Sequence, residues 1–201
     1  HNNGIVTLDG GASTWSVDPN SNTETFYNLV LNANNVTSKT IASGDKFVVE
    51  GTLTLSNGGF ATGSIEAKGN INAEAGADSN SSVLKIVGTG DQIFTSSPSG
   101  IFASGVVIDK ASGEAYLGSN FTNNTSTFTM TNGTFHTRNS AASQNYSFNI
   151  ATYIQGGGIF DGAASTITYN STFTLNGGTY NASTATTTHS STWTHTSGTG
   201  S

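Results

Sequence analysis

A short Gly-punctuated segment returns several times along this chain. Its copies read TLTLSNGGF at 52–60, TFTMTNGTF at 127–135, TYIQGGGIF at 152–160, TFTLNGGTY at 172–180 and TWTHTSGTG at 192–200. The interval is about 25 residues from Phe135 to Phe160 and about 20 residues for each of the next two steps, to Tyr180 and to Gly200. Such a period suits one coil of a parallel β-helix, in which short strands and corners make a circuit and each coil stacks on the last. The sequence therefore predicts an all-β parallel β-solenoid with coils of about 20–25 residues, and an antiparallel β-sandwich or jelly roll is the alternative.

Within each copy, polar and apolar residues alternate, as in a half-buried strand. The alternation places Phe128 and Met130 on the inner face and Thr127 and Thr129 on the outer face. The stretch from the first aromatic position, at 60, to the next, at 135, is long enough for three further turns of about 25 residues. The residues predicted to form the repeating core are Leu53, Leu55, Phe60, Phe128, Met130, Phe135, Phe160, Phe173, Leu175, Tyr180 and Trp193.

Composition narrows the classes of protein that remain. No helical spacing of apolar residues is present, and residues 1–201 read as a single solenoid domain. There is no cysteine, so disulfides and Cys-ligated metals are excluded. The net charge is −6 and the six Lys and Arg residues are scattered, which argues against a nucleic-acid partner. No apolar run is long enough to span a membrane. Charges beside turns, such as the pairs Asp109 with Lys110 and Glu66 with Lys68, are predicted to be exposed at corners.

Four segments resemble repeats of large bacterial surface and secreted proteins, broadly of the filamentous-haemagglutinin type of parallel β-helix. They read TETFYNLVLNAN at 23–34, GDKFVVEGTLTLSNG at 44–58, GTGDQIFTSS at 88–97 and VVIDKASGEAYLGSNFT at 106–122. The resemblance implies an extracellular or cell-surface stalk, fibre or adhesin. It transfers no functional residue to this chain.

Both ends of the sequence read as further coils. The copy at 192–200 ends one residue before the C-terminus, and residues 1–15 resemble the coil that would follow it. An uncapped solenoid exposes strand edges that invite association. We therefore expect copies to stack end to end, either as covalent repeats or as protomers of a filament.

Three other functions are alternatives to a structural fibre. A glycan-binding adhesin would use exposed aromatic residues, for which Trp15, Tyr27, Tyr116 and Tyr153 are the candidates. A polysaccharide lyase of the β-helix type is another alternative. An ice-binding solenoid would use hydroxyl columns, and the Thr-X-Thr runs at 127–131 and 192–196 could supply them, although unequal coil lengths count against a flat lattice.

The sequence predicts no enzyme, no catalytic residue and no cofactor. Its twelve acidic residues are spread thinly and Arg138 is the only arginine. His136 lies two residues before Arg138 and is expected to have no acid nearby. His189 and His195 flank Trp193 but lie too far apart along a strand to share a metal ion.

Two further groups of polar residues could form sites. Asp18, Asn20, Asn22 and Glu24 alternate as at the start of a Ca²⁺ loop, but a polar corner with Asx turns is favoured. Asn-X-Ser/Thr sequons would accept glycans if the source organism glycosylates secreted chains. The candidate glycan sites are Asn35, Asn80, Asn124, Asn170 and Asn181.

Overall fold

The structure is a continuous stack of parallel strands with no helix in the ranges that it describes. It is a computed structural model and describes residues 3–10, 16–17, 22–33, 39–77, 81–97 and 105–201. Nineteen strands form one continuous sheet, and β2 and β5 form a separate pair. All strand ladders of these residues are parallel, and the antiparallel pairing is confined to the bridge between Arg138 and Asn145. The predicted β-solenoid is confirmed and the antiparallel sandwich is excluded.

The strands are short where the chain turns sharply and long where they run through a corner. Their bounds are β1 Ile5–Gly10, β2 Ser16–Val17, β3 Thr23–Phe26, β4 Asn28–Ala33, β5 Thr40–Ile41, β6 Lys46–Val49, β7 Leu53–Gly58, β8 Ser64–Ala67, β9 Ile71–Ala77, β10 Val83–Ile86, β11 Gln92–Ser96, β12 Gly105–Leu117, β13 Phe121–His136, β14 Phe148–Gln155, β15 Ile159–Asp161, β16 Ile167–Tyr169, β17 Phe173–Leu175, β18 Thr179–Asn181, β19 Thr187–His189, β20 Trp193–His195 and β21 Thr199–Gly200.

Each coil passes through three faces, which we name A, B and C in chain order. Coil two, for example, places β4 on face A, β5 on face B and β6 on face C. The strand register gives about eight turns. One inner column on face C contains, in order, Glu24, Phe47, Ile65, Leu84, Val106, Phe128, Tyr153, Phe173 and Trp193.

Coil length varies without disturbing this register. The shortest step along the column joins Phe47 to Ile65, and the longest joins Phe128 to Tyr153. In the longest coil, part of the extra length lies in residues 137–147, which form a small hairpin between faces A and B closed by an antiparallel bridge. Corners and this hairpin absorb the differences, so the strands on either side stay aligned.

The core changes in character along the stack. In the first coils it consists mainly of aliphatic residues and small alanines, as in the column of Leu29, Leu53 and Ile71. In the later coils it is a continuous set of aromatic rings with centroids 4.9–6.5 Å apart. Rings at these separations attract one another beyond the burial of their surface. Members of the aromatic set include Phe121, Phe128, Phe135, Phe148, Tyr153, Phe160, Tyr169, Phe173 and Tyr180.

One corner of the later coils requires glycine. Gly133, Gly158 and Gly178 have φ values of +84°, +69° and +76°, which residues with a Cβ atom adopt reluctantly. A Cβ atom on Gly158 would lie 2.4 Å from the carbonyl oxygen of Gly133 in the coil below. The recurring Gly of the sequence motif thus permits both the turn and the close approach of successive coils.

Ten of the eleven predicted core residues are buried, but their columns differ from the expected ones. Leu53 and Leu55 lie on face A, whereas Phe128 lies on face C. The copy at 52–60 is therefore displaced by one face.

The spacing of the early coils also differs from the prediction. The interval from Phe60 to Phe135 does not consist of three equal turns. On face A, the register step from Leu53 to Ile71 is shorter than the step from Ile71 to Phe94. The predicted turns of constant length are wrong for this part of the chain, because its corners differ in length.

Trp193 is the exception among the predicted core residues. It continues the face C column above Phe173, yet it is 55% exposed because no described coil covers it.

Candidate functional site

The surface of the last coil exposes residues that belong to the core columns. Trp193 packs against Phe173 and His189, with ring centroids 5.1 Å and 4.4 Å away. Beside it opens a cavity of about 260 Å³. We call this area the terminal surface, and it is lined by Leu175, Tyr180, Ala182, Trp193, His195, Gly200 and Ser201.

The cavity arises because one inner column ends in a glycine. On face A, Phe135, Phe160 and Tyr180 stack in register, and Gly200 follows without a side chain. The rings of Phe160 and Tyr180 lie 5.1 Å apart and nearly parallel. Burial raises the pKa of Tyr180 to about 12, so its hydroxyl stays neutral at physiological pH. The terminal surface is therefore aromatic and uncharged at this point.

The first coil also leaves column positions uncovered. Val6 lies in register with the buried Leu29 and is 41% exposed. Glu24 occupies the face C column in register with Phe47 and is exposed. The two ends of the described stack thus carry complementary features, apolar rings and an imidazole at one end and an apolar strand with a carboxylate at the other.

A second group of side chains gathers on the outer side of face A. Tyr116, His136 and Asp161 occupy the same row in three successive coils. The His136 Nδ1 atom lies 2.7 Å from Asp161 Oδ2, and its Nε2 atom lies 3.1 Å from Glu114 Oε2. The expectation that His136 has no acid nearby is wrong, because stacking brings together residues one coil apart in sequence.

The other members of this group reinforce the pairing. Tyr116 donates a hydrogen bond to Glu114, which is the main cause that raises the pKa of Tyr116 to about 12. Burial alone would raise the pKa of Asp161, but hydrogen bonds from His136 and the backbone of Ala163, together with nearby positive charge, hold it below its ordinary value. Arg138 Nε contributes at 3.6 Å from Asp161 Oδ2.

This charge cluster ties three coils together on their outer side. The Tyr116 ring stacks on His136 at 4.8 Å with 12° between planes. Both imidazole nitrogens contact carboxylates, and only 8% of the His136 side chain is exposed. Such a geometry suits a clamp between coils, since the imidazole has no nitrogen left to face a substrate.

A buried lysine provides a third polar feature. Lys110 is 1% exposed, and its Nζ donates to the carbonyl oxygens of Gly88 and Gly90 and to Gln92 Oε1, at 2.6, 2.9 and 2.6 Å. Burial lowers the pKa of Lys110. The prediction of an exposed corner charge is wrong for Lys110, because it is in phase with the inward-facing Ile108.

The candidate calcium residues lie partly outside the described residues. Asp18 and Asn20 are not among them, while Asn22 and Glu24 are exposed at the start of β3. Over the ranges that the structure does describe, no three His, Cys, Asp or Glu side chains are grouped so that they could hold a metal ion.

Three of the five candidate glycan sites lie in the described residues. Asn35 and Asn80 lie outside the described residues. On face B, Asn170 Nδ2 donates to Asn124 Oδ1 at 2.9 Å and to Asn149 Oδ1 at 2.6 Å, so an outer ladder of amides links these coils. Asn181 is half-buried near the terminal surface.

Two of the four aromatic residues suggested for glycan binding are buried. Tyr153 is completely buried and Tyr116 is 7% exposed, so both predictions of an exposed ring are wrong. Tyr27 is half-buried, and Trp15 lies outside the described residues.

The comparisons with known proteins identify no relative of this chain. No family model, no curated protein and no solved structure matches this chain. Within the part of the chain that the structure covers, no helix has the length and apolar character needed to cross a bilayer.

Proposed function

We propose that this chain is a structural unit of an extracellular or cell-surface filament, stalk or fibre, built by stacking coils end to end. The carrying observation is the terminal surface, where the aromatic column ends in the half-exposed ring of Trp193. The next coil would come from another copy, whether linked covalently or as a separate protomer. This role uses no catalytic residue and no cofactor.

Stacking would satisfy both the backbone and the core at the junction. The outer edge of β19, β20 and β21 carries backbone groups that a further parallel strand can pair with. Covering the exposed half of the Trp193 ring would contribute about 2 kcal/mol. Because solenoid stability grows with each neighbouring interface, a longer stack would be more stable than one unit.

The opposite end offers a suitable mate. In continued register, Trp193 and His195 of one copy would meet Glu24 and Phe26 of the next, since these residues share columns. The His195 imidazole would then stack on the Phe26 ring, and the Trp193 indole would cover the methylene groups of Glu24. The resemblance of four sequence segments to filamentous-haemagglutinin repeats supports a location outside the cell.

An adhesin that binds glycans through tyrosine rings is less well supported. Tyr116 and Tyr153 are buried, and their hydroxyl groups are engaged with Glu114 and Gln155. We therefore retain the structural role as the main proposal.

Trp193 itself reports the junction. The chain contains two tryptophans, so a Trp15→Phe background leaves Trp193 as the single fluorophore. We expect a blue shift of its emission as protein concentration rises, or when two copies are joined in tandem, with rods that lengthen accordingly in negative-stain micrographs.

Two substitutions make the test specific. Trp193→Asp should abolish assembly, because it buries an unpaired charge at the junction. Ile159→Asp is the matched control, since Ile159 is an exposed apolar residue (41%) on β15, two coils below the terminal surface, and assembly should survive. A Trp193 spectrum that stays solvent-exposed both at high concentration and in the tandem protein would contradict the proposal.

A further inference from the structure

The outer side of face C carries an ordered array of threonines in the last four coils. Each coil presents a pair of outward residues that flank one inward ring. Seven of the eight positions are threonine. We call this surface the threonine array, and it consists of Thr127 with Thr129, Thr152 with Ile154, Thr172 with Thr174, and Thr192 with Thr194.

The parallel ladder sets the spacing of the array. Neighbouring coils repeat every ~4.8 Å, and outward residues two apart on one strand lie about 6.6 Å from each other. Behind the array, the rings of Phe128, Tyr153 and Phe173 are at most 1% exposed and stack in register. β-branched threonines have few χ1 rotamers, so their hydroxyl and methyl groups are held in place before any ligand binds.

Unequal coil lengths do not spoil this lattice. The coil from Phe128 to Tyr153 is longer than the two that follow it, yet all three steps are in register on face C. Residues 137–147, which contain the hairpin, take up the added length between faces A and B. The unequal coil lengths that count against a flat lattice therefore leave the strand register of face C unchanged.

Charge is kept away from the array. After Lys110 the only Asp, Glu, Lys and Arg residues are Glu114, Arg138 and Asp161. All three belong to the cluster around His136 on face A. The outer side of face C in these coils consequently carries hydroxyl and methyl groups and no Asp, Glu, Lys or Arg side chain.

We propose that the threonine array binds the surface of ice. The ~4.8 Å coil repeat is close to the shorter repeat of oxygen atoms on a prism face of ice, so one set of ordered waters can bridge threonines of successive coils at once. A rigid surface loses little conformational entropy on binding. The water molecules that the threonines order become part of the ice surface that is bound. This activity is independent of end-to-end stacking, because the array lies on a side face.

The test compares two threonines of the same coil. Thr174 is the central residue of β17 in the array, and Thr168 is the central residue of β16 on face B. Both are half-buried outward residues of three-residue strands. We expect the whole chain to show thermal hysteresis and to partition into growing ice. Thr174→Tyr should reduce hysteresis roughly tenfold, because a large ring holds the array off the lattice, whereas Thr168→Tyr should leave it unchanged.

A second variant tests the lattice by completing it. Ile154→Thr supplies the missing hydroxyl and should increase hysteresis, with circular dichroism confirming that each variant keeps its β-structure. Absence of hysteresis in the unmodified chain would overturn the inference, as would an equal loss in Thr174→Tyr and Thr168→Tyr. Retention on crystalline cellulose or chitin without ice binding would also overturn it, and so would dimerisation through face C.

Discussion

Face C presents two different outer surfaces on one continuous ladder. In the earlier coils its outer side contains an ion ladder, with Lys46 Nζ 3.0 Å and Lys85 Nζ 3.9 Å from the carboxylate of Glu66. Lys46 lies in one outward row, and Glu66 and Lys85 share the row beside it. In the later coils the same row contains Thr129 and Thr174. Because alternate residues face opposite sides of a strand, the outer row can change its chemistry while the inner row continues to build the core.

The inner row changes at the same place. Ile65, Leu84 and Val106 line the face C column of the earlier coils, and Phe128 and Tyr153 continue it. The two shortest steps of the column, those that reach Ile65 and Leu84, occur among the aliphatic coils. Core chemistry does not set the coil length, since the steps from Tyr153 to Phe173 and from Phe173 to Trp193 are shorter than the step from Leu84 to Val106. The two regions therefore differ both in what holds them together and in what they show to solvent.

Removal of an aromatic ring from the core of the later coils should have the largest effect on the free energy of unfolding. Phe160 contacts the rings of Phe135, Phe148, Tyr153 and Tyr180 at 5.1–6.0 Å. We expect Phe160→Ala to lower the free energy of unfolding by about 4 kcal/mol, since it removes both buried surface and ring contacts. Urea denaturation followed by circular dichroism measures this loss.

Its counterpart in the aliphatic region is Leu84→Ala. Leu84→Ala should lower the free energy of unfolding by about 3 kcal/mol. The loss is smaller than for Phe160→Ala because the change removes buried apolar surface and leaves a smaller cavity, but breaks no contact between rings. In a solenoid each coil contacts only its neighbours, so Phe160→Ala should also weaken the later coils before the earlier ones. A larger loss for Leu84→Ala than for Phe160→Ala would show that the rings contribute nothing beyond their area.

Sequence alone predicts the aromatic region better than the aliphatic one. In the later copies the corner from face C to face A has the same length each time. The intervals from Phe135 to Phe160 and from Phe160 to Tyr180 therefore each span one whole coil, although the first of these coils is longer. Leu53 and Leu55 have the same local pattern but lie on another face. A motif fixes which side of the strand is buried, and the lengths of distant corners decide which column the strand joins.

The contacts of His136 and Lys110 are not predicted by local sequence patterns, for a related reason. His136 meets Glu114 and Asp161, which are 22 and 25 residues away, and these separations are themselves coil lengths. A search for acids one coil away would find both. Lys110 could also be placed correctly, since it continues the inward alternation of Val106 and Ile108. The periodicity does not predict which backbone carbonyl oxygens accept hydrogen bonds from the Lys110 ammonium group.

The cluster around His136 should give the later coils an acid-sensitive component of stability. The folded-state pKa of Asp161 lies below its unfolded value. Its contribution is therefore fully present above the unfolded value and is lost as pH falls through the folded pKa. We expect Asp161→Asn to cost about 1 kcal/mol near neutral pH, after discounting for partial exposure, and to cost progressively less below about pH 4.

Melting curves at several pH values measure this difference. Glu24→Gln in the first coil serves as the control, since Glu24 is exposed on β3 and lies outside the cluster. A penalty for Asp161→Asn that stays constant down to about pH 3 would mean that the clamp does not depend on the charge of this carboxyl.

The smallest expected effect concerns the ion ladder of the earlier coils. The Glu66 carboxylate forms ion pairs with Lys46 and Lys85 at a partly exposed site. Glu66→Gln should therefore lower the free energy of unfolding by no more than about 1 kcal/mol. Raising ionic strength from about 0.05 M to about 0.5 M should remove most of that cost, because the Debye length then falls to a few ångströms. Thr129→Gln places the same amide on the uncharged part of face C, and its effect on the free energy of unfolding should not change with salt. If both variants respond equally to salt, the two outer surfaces do not differ in electrostatics, and the contrast between them is one of shape alone.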